Sequence, residues 1–108
     1  IADGALMADP GIGFGKTAQH NLELLARLSE LVERVGVPVL VGASRKSFLG
    51  KLLGIDDPER RDDATLATVV WSLERGAAMV RVHEVRRAVQ AATVLDAIQR
   101  ATLSPVAA

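Results

Sequence analysis

Three short clusters hold the residues of this chain that could do chemistry. They are Asp9-Pro10-Gly11-Ile12-Gly13-Phe14-Gly15-Lys16-Thr17, then Gly42-Ala43-Ser44-Arg45-Lys46-Ser47, then Arg81-Val82-His83. The first is a glycine-rich turn opened by a carboxylate, and it misses both familiar phosphate-loop patterns. With Gly15-Lys16-Thr17 in place a Walker loop needs glycine at Pro10, and from Gly11 and Gly13 the dinucleotide fingerprint needs glycine at Lys16. Taken alone, these glycines make a tight turn with Asp9 as its polar starter. In the second cluster Arg45 and Lys46 stand where a strand meets a helix N-terminus. The helix dipole is already positive there, so an anionic or electron-rich group is expected to compensate. Taken alone, the pair reads as a solvated surface dipeptide and Ser44 as a turn or cap residue. In the third cluster strand alternation places Arg81 and His83 on one face with Val82 opposite. A guanidinium fork beside an imidazole of switchable charge suits an oxyanion or a phosphate. His83 alone reads equally well as a satisfied core histidine, and His20 as a surface or capping residue.

The elements that must position these clusters alternate in type. Residues 1–16 form a short strand, Ala5 to Ala8, with its loop. Leu22, Leu25, Leu28 and Val32, widened by Leu24 and Leu31, mark one amphipathic helix over 17–35. Thr17 is its N-cap, and Gly36 with Pro38 its stop. Residues 37–46 are a strand, Val37 to Val41, and its loop. The strand is apolar without alternation and β-branched, so buried on both faces. Residues 47–75 hold a short helix ending at Gly54, a polar loop from Asp56 to Arg61, and a helix from Asp62 with Leu66, Val69, Val70 and Leu73 inward. A strand at 77–83 and a helix over 85–100 follow, and Leu103 to Ala108 is a frayed tail. Short connections between alternating strands and helices imply a parallel sheet with helical crossovers. Each cluster then lies at the C-terminal end of a strand, the rim where parallel α/β proteins bind ligands. Whether the sheet is open or closed is left undecided by three such units.

The chain of 108 residues, 49% hydrophobic, is long enough for one domain or part of one. Thirteen basic residues balance thirteen acidic ones, so no bulk field draws it to nucleic acid or an anionic membrane. Aromatic content of 3% leaves no stacking platform for bases. The absence of cysteine removes disulfides and thiolate metal sites and fits a reducing, cytoplasmic compartment. No run reaches the roughly 20 apolar residues of a membrane span, and the start lacks the pattern of a signal peptide. The chain begins with Ile1 rather than Met and runs at once into a strand, so it is expected to be cut from a longer one.

Together DPGIGFGKT, GASRKSFLG and RVHEV, in this order, with His20-Asn21-Leu22 after the first, resemble the late-strand motifs of the dihydropteroate synthase family. The resemblance runs from Asp9 through nearly the whole chain. Glu84 stands where the family often has Asp, and Ala64-Thr65 where many members have Gly-Ser, a departure that bears on helix packing. The resemblance implies three consecutive βα units with parallel strands, the C-terminal portion of a (β/α)8 TIM barrel and part of one pterin-binding domain. It implies transfer of a dihydropterin-methyl group from its diphosphate to the amine of p-aminobenzoate, giving dihydropteroate and pyrophosphate. Asp9 would hold the amino and N3–H edge of the pterin, and Gly42 would leave the ring room. Lys46 would donate to its O4/N5 side. Phe14 would wall the aminobenzoate channel, and Ser44 would meet the aminobenzoate carboxylate, helped by the helix N-terminus. Arg81 and His83, with Val82 between them, would hold the leaving diphosphate, while Arg45 stacks or supports the wall. On this resemblance Lys46, Arg81 and His83 would be the catalytic set, acting by electrostatic positioning rather than through a covalent nucleophile. The resemblance also implies magnesium, with its protein ligand outside this chain, and a homodimer for the full-length enzyme. Another pterin-binding barrel, of the methyltetrahydrofolate-type methyltransferases, is the rival enzyme reading. Ser-Arg-Lys-Ser with Arg-x-His argues against it. A non-catalytic paralogue is the rival outside the enzymes.

Overall fold

A computed structural model of the chain describes residues 7–13 and 17–102. The opening of the first strand, Phe14 and the tail from Leu103 lie outside the described residues. Elements follow in the order α1 (Ala18–Ala26), α2 (Leu28–Val35), β1 (Leu40–Val41), α3 (Ser47–Leu53), a 3-10 turn (Pro58–Arg61), α4 (Asp62–Glu74), β2 (Met79–Val80) and α5 (Val85–Thr102). β1 and β2 pair in parallel, Leu40 with Met79 and Val41 with Val80. On the other side of β1, Ala8 bridges Val39, also in parallel. β1 is therefore central, and Val39 and Val41 are 0% and 2% exposed.

Both strands are shorter than the sequence suggests. Pro38 has no N–H to give to a ladder, and beyond Val41 the chain leaves the sheet to build the Ser44 loop. One hydrogen bond still extends the pairing, from Arg81 N–H to Val41 O at 3.0 Å. β1 is fully buried on the face of Val39 and Val41 and half-buried at Leu40 on the other, and β2 is more open still, with Met79 51% exposed.

The helix expected over 17–35 is two helices. Thr17 caps α1 by accepting the His20 N–H, and Gly36 ends α2 with a φ of 67°. Between them Arg27 leaves helical geometry at φ −100° and ψ 17°. In that turn the Leu25 carbonyl accepts the Trp71 indole N–H at 2.6 Å, and a side chain that intrudes on the helical ladder is a recognised cause of kinks. The inward face of α4 is also different: Thr65, Val69 and Ser72 are buried, while Leu66 and Leu73 are half-buried and Val70 exposed. Leu66 and Val70 turn instead toward Ala91 and Val94 of α5.

The core gathers Ile12 from the first loop, Leu25 and Leu28 from the first two helices, Val39 and Val41 from the sheet, and Phe48 and Leu49 from α3. It ties the first two loops to one scaffold, and Val80, at the end of β2, packs against it just before the third. Among the described residues no helix is long and apolar enough to cross a membrane.

Candidate functional site

The first loop is fixed at both ends. Asp9 Oδ1 accepts the Gly11 N–H at 2.8 Å, closing an Asx turn. Further on, Gly13 N–H donates to Asn21 Oδ1 at 2.7 Å, and Asn21 is only 2% exposed. Lys46 reaches across from the second loop, its Nζ donating to the Ile12 carbonyl. The close approach requires glycine at 13, where φ is +90° and a Cβ would stand 2.7 Å from Lys46 Cδ.

The second loop leaves β1 through buried Gly42 and Ala43 and turns at Arg45, whose φ of 57° is left-handed. Ser44 faces the third loop. Its Oγ lies 2.8 Å from His83 Nδ1 and accepts the His83 backbone N–H at 3.1 Å. Arg81 crosses above Gly42, where a Cβ would come within 2.9 Å of Nη2. The same guanidinium nitrogen stands 3.6 Å from Asp9 Oδ2. That is an ion pair too long for a hydrogen bond, and the Arg81 side chain is 60% exposed. Such a pair is worth about 0–1 kcal/mol, so an incoming ligand can exchange it at little cost.

Gly42, Ser44, Lys46, Arg81, Val82 and His83 line one concavity of about 260 Å³, with Asp9 at its edge through the pair with Arg81. Larger concavities lie elsewhere. One of about 600 Å³ between α1, α3 and α4 is walled by apolar side chains such as Leu22, Phe48, Leu52 and Trp71. Among the described residues its lining has no cation or carboxylate to orient a polar substrate. Another, of about 610 Å³ along α1 and α2, is lined by the exposed residues His20, Glu23, Arg27, Glu30 and Arg34, and takes none of the loop residues that follow the strands. The smaller space is the one at the strand ends. There a lysine, an arginine and a histidine face one opening beside a carboxylate, a set suited to a planar hydrogen-bonding ring next to an anion.

Of the residues singled out from the sequence, Gly42, Ser44, Lys46, Arg81, Val82 and His83 line this opening and Asp9 stands at its edge; the Arg45 side chain turns to Asp62, His20 lies away on α1, and Phe14 lies outside the described residues. Sequence reasoning gave Asn21, Arg61, Asp62 and Thr65 no part in the site: Asn21 entered only as part of a motif, Thr65 only for helix packing, and Arg61 and Asp62 only as element bounds. Asn21 and Thr65 carried a signal: each is a polar residue in phase with a buried helical stripe, 21-25-28 and 65-69-72. Arg61 carried none, since it stands in a polar loop, yet it is 9% exposed. Among the described residues no three of His, Asp or Glu come together as metal donors.

Residues 1–83 match the family model described as pterin binding enzyme. The chain is 50% identical over 95 residues to a dihydropteroate synthase of Synechocystis, which covers 88% of this chain and 32% of that protein. Against the Mycobacterium leprae dihydropteroate synthase it is 50% identical over 102 residues, 90% of this chain and 36% of the relative. It thus spans about a third of the length of these curated relatives. The solved Xanthomonas albilineans dihydropteroate synthase with 4-aminobenzoic acid superposes with a TM-score of 0.87 at 45% identity, over 92% of this chain and 37% of that one.

Proposed function

The chain belongs to the pterin-binding enzyme family, and we propose that it supplies the late-strand side of a dihydropteroate synthase site at the C-terminal end of a (β/α)8 barrel. In the reaction the amine nitrogen of p-aminobenzoate attacks the methylene carbon of the dihydropterin-methyl diphosphate. The carbon–oxygen bond to the diphosphate breaks, the amine loses a proton, and dihydropteroate and pyrophosphate leave. Negative charge grows on the departing diphosphate and positive charge on the methylene, so fixed donors aimed at the leaving group lower the barrier. Arg81 and His83 fill that role, and Lys46 donates to the ring.

Asp9 binds the amino and N3–H edge of the pterin by exchanging its pair with Arg81 for two parallel donors. Ser44 both holds His83 and meets the aminobenzoate carboxylate. It has an O–H left for that carboxylate when the hydrogen of the His83 contact sits on Nδ1. Gly42 gives room first to the Arg81 guanidinium and, through it, to the ligand. Phe14 walls the aminobenzoate channel. Magnesium finds no donor set among the described residues, and no step here runs through it. The enzyme is read as a cytoplasmic homodimer.

The observation that carries this reading is the convergence of Lys46, Arg81, Val82 and His83 on one opening beside Asp9, in a chain half identical to known synthases. The test supplies the protein that carries this chain with both substrates and follows pyrophosphate and dihydropteroate together. Equal amounts of the two are expected. A protein that binds a pterin ring yet releases no pyrophosphate would overturn the reading.

A further inference from the structure

We propose that Arg61, Thr65 and Asp62, which do not line the opening, are positioning residues that hold the Ser44-Arg45-Lys46 loop in its working shape. This rests on the functional reading above for what the loop does, but not for how it is held. Arg45 is the one non-glycine residue with positive φ among the described residues, a conformation that persists only where the surroundings impose it. Here they grip both polar groups of its backbone. Its N–H donates to Thr65 Oγ1 at 3.1 Å, and its carbonyl accepts Arg61 Nη1 at 2.9 Å. The two grips are one strap, since the Thr65 hydroxyl donates to the Arg61 carbonyl at 2.9 Å.

Arg61 is itself anchored. Nε donates to Ile55 O at 3.1 Å and Nη2 to Asp56 O at 2.9 Å, so its fork is spent on carbonyls of the preceding loop and of Arg45. Glycine at 50 is what admits it, because a Cβ there would lie 2.5 Å from Nη2. Asp62 completes the clamp with a two-point contact to the Arg45 side chain, 2.7 Å at Nε and 3.0 Å at Nη2. With Arg45 fixed, its neighbours diverge to their own partners: Ser44 to His83 and Lys46 to the Ile12 carbonyl. The guanidinium is chosen for its geometry, since a lysine ammonium cannot serve three carbonyls from a rigid fork.

The test reads the ring ¹⁵N signals of His83, assigned with His83→Gln, in the protein that carries this chain, alongside pyrophosphate affinity. Thr65→Val keeps the shape and removes the hydroxyl. It should move the His83 Nδ1 signal and weaken pyrophosphate at least fivefold, while Thr65→Ser stays at the parent values. Should Thr65→Val fail to fold, Arg61→Lys and the partly exposed Asp62→Asn are read in the same way. Folded variants whose His83 signals match the parent would overturn the proposal and leave these residues a purely structural role. If the signals respond as expected in a protein that makes no dihydropteroate, the functional reading falls and the positioning assembly stands.

Discussion

At the scale of single residues the site is governed by where two cations are allowed to lie. Arg81 rests on Gly42, and an added methyl would meet the far end of a flexible side chain at 2.9 Å rather than backbone. Gly42→Ala should therefore fold normally and push the guanidinium aside. Pyrophosphate affinity is expected to fall by about tenfold, the equivalent of about 1.4 kcal/mol, in calorimetry against the parent; unchanged affinity would remove Arg81 from the anion site. Arg45 acts on a carboxylate instead. Its hydrogen bond, aided by its charge and those of Arg87 and His83, holds the Asp62 carboxyl below the ordinary range against the opposing effect of burial. A group whose value is lower in the folded state stabilises that state above its unfolded value of about 3.9. The stabilisation is lost as pH falls through the folded value. Denaturant midpoints measured downward from about pH 6 should thus drop less steeply below that point for Asp62→Asn than for the parent. Parallel acid limbs would show that the pair contributes nothing to stability.

At the scale of elements, α4 is the helix whose apolar pattern misleads. Its buried stripe contains Ser72, 0% exposed, whose Oγ has no hydrogen-bond partner among the described residues. A buried hydroxyl without a partner costs about 1–3 kcal/mol, so Ser72→Ala is expected to hold or raise the thermal midpoint; a clear fall would mean that the hydroxyl is satisfied. The stripe of α4 could not be read from hydrophobicity because Thr65 is inward for its hydrogen bonds, not its methyl. What could be read were features set by local chemistry: Thr17 as cap, Gly36 and Gly54 as stops, and the buried face of Val39 and Val41. The break at Arg27 could not, since it involves a Trp71 contact made 46 residues away in sequence. The rim clusters were legible as candidates because cations and glycines are unusual together at strand ends. Their pairings, Ser44 with His83 and Arg81 with Asp9, depend on register across the sheet and were not.

At the scale of the whole molecule, the chain is a slab of 47 × 38 × 22 Å with a radius of gyration of 15.1 Å, against about 13 Å for a compact domain of this length. Leu52 and Leu53 on α3, and Val85, Val89, Val94 and Ile98 on α5, are each more than half exposed. Apolar faces of that extent, beside the open edge at Met79, favour association. The 108-residue chain by itself is expected to sediment as oligomers or aggregate, and a monodisperse monomer would contradict this. The claim on which the rest depends is that the rim of this slab is a substrate site, with Lys46 between the first loop and the opening. The most direct measurement is the steady-state rate of dihydropteroate formation by Lys46→Ala in the protein that carries this chain, with folding checked by circular dichroism. Loss of one charged partner of a bound ligand costs about 2–5 kcal/mol, so the folded variant should be slower by at least about thirtyfold. A folded Lys46→Ala protein turning over at the parent rate would contradict the assignment of the site.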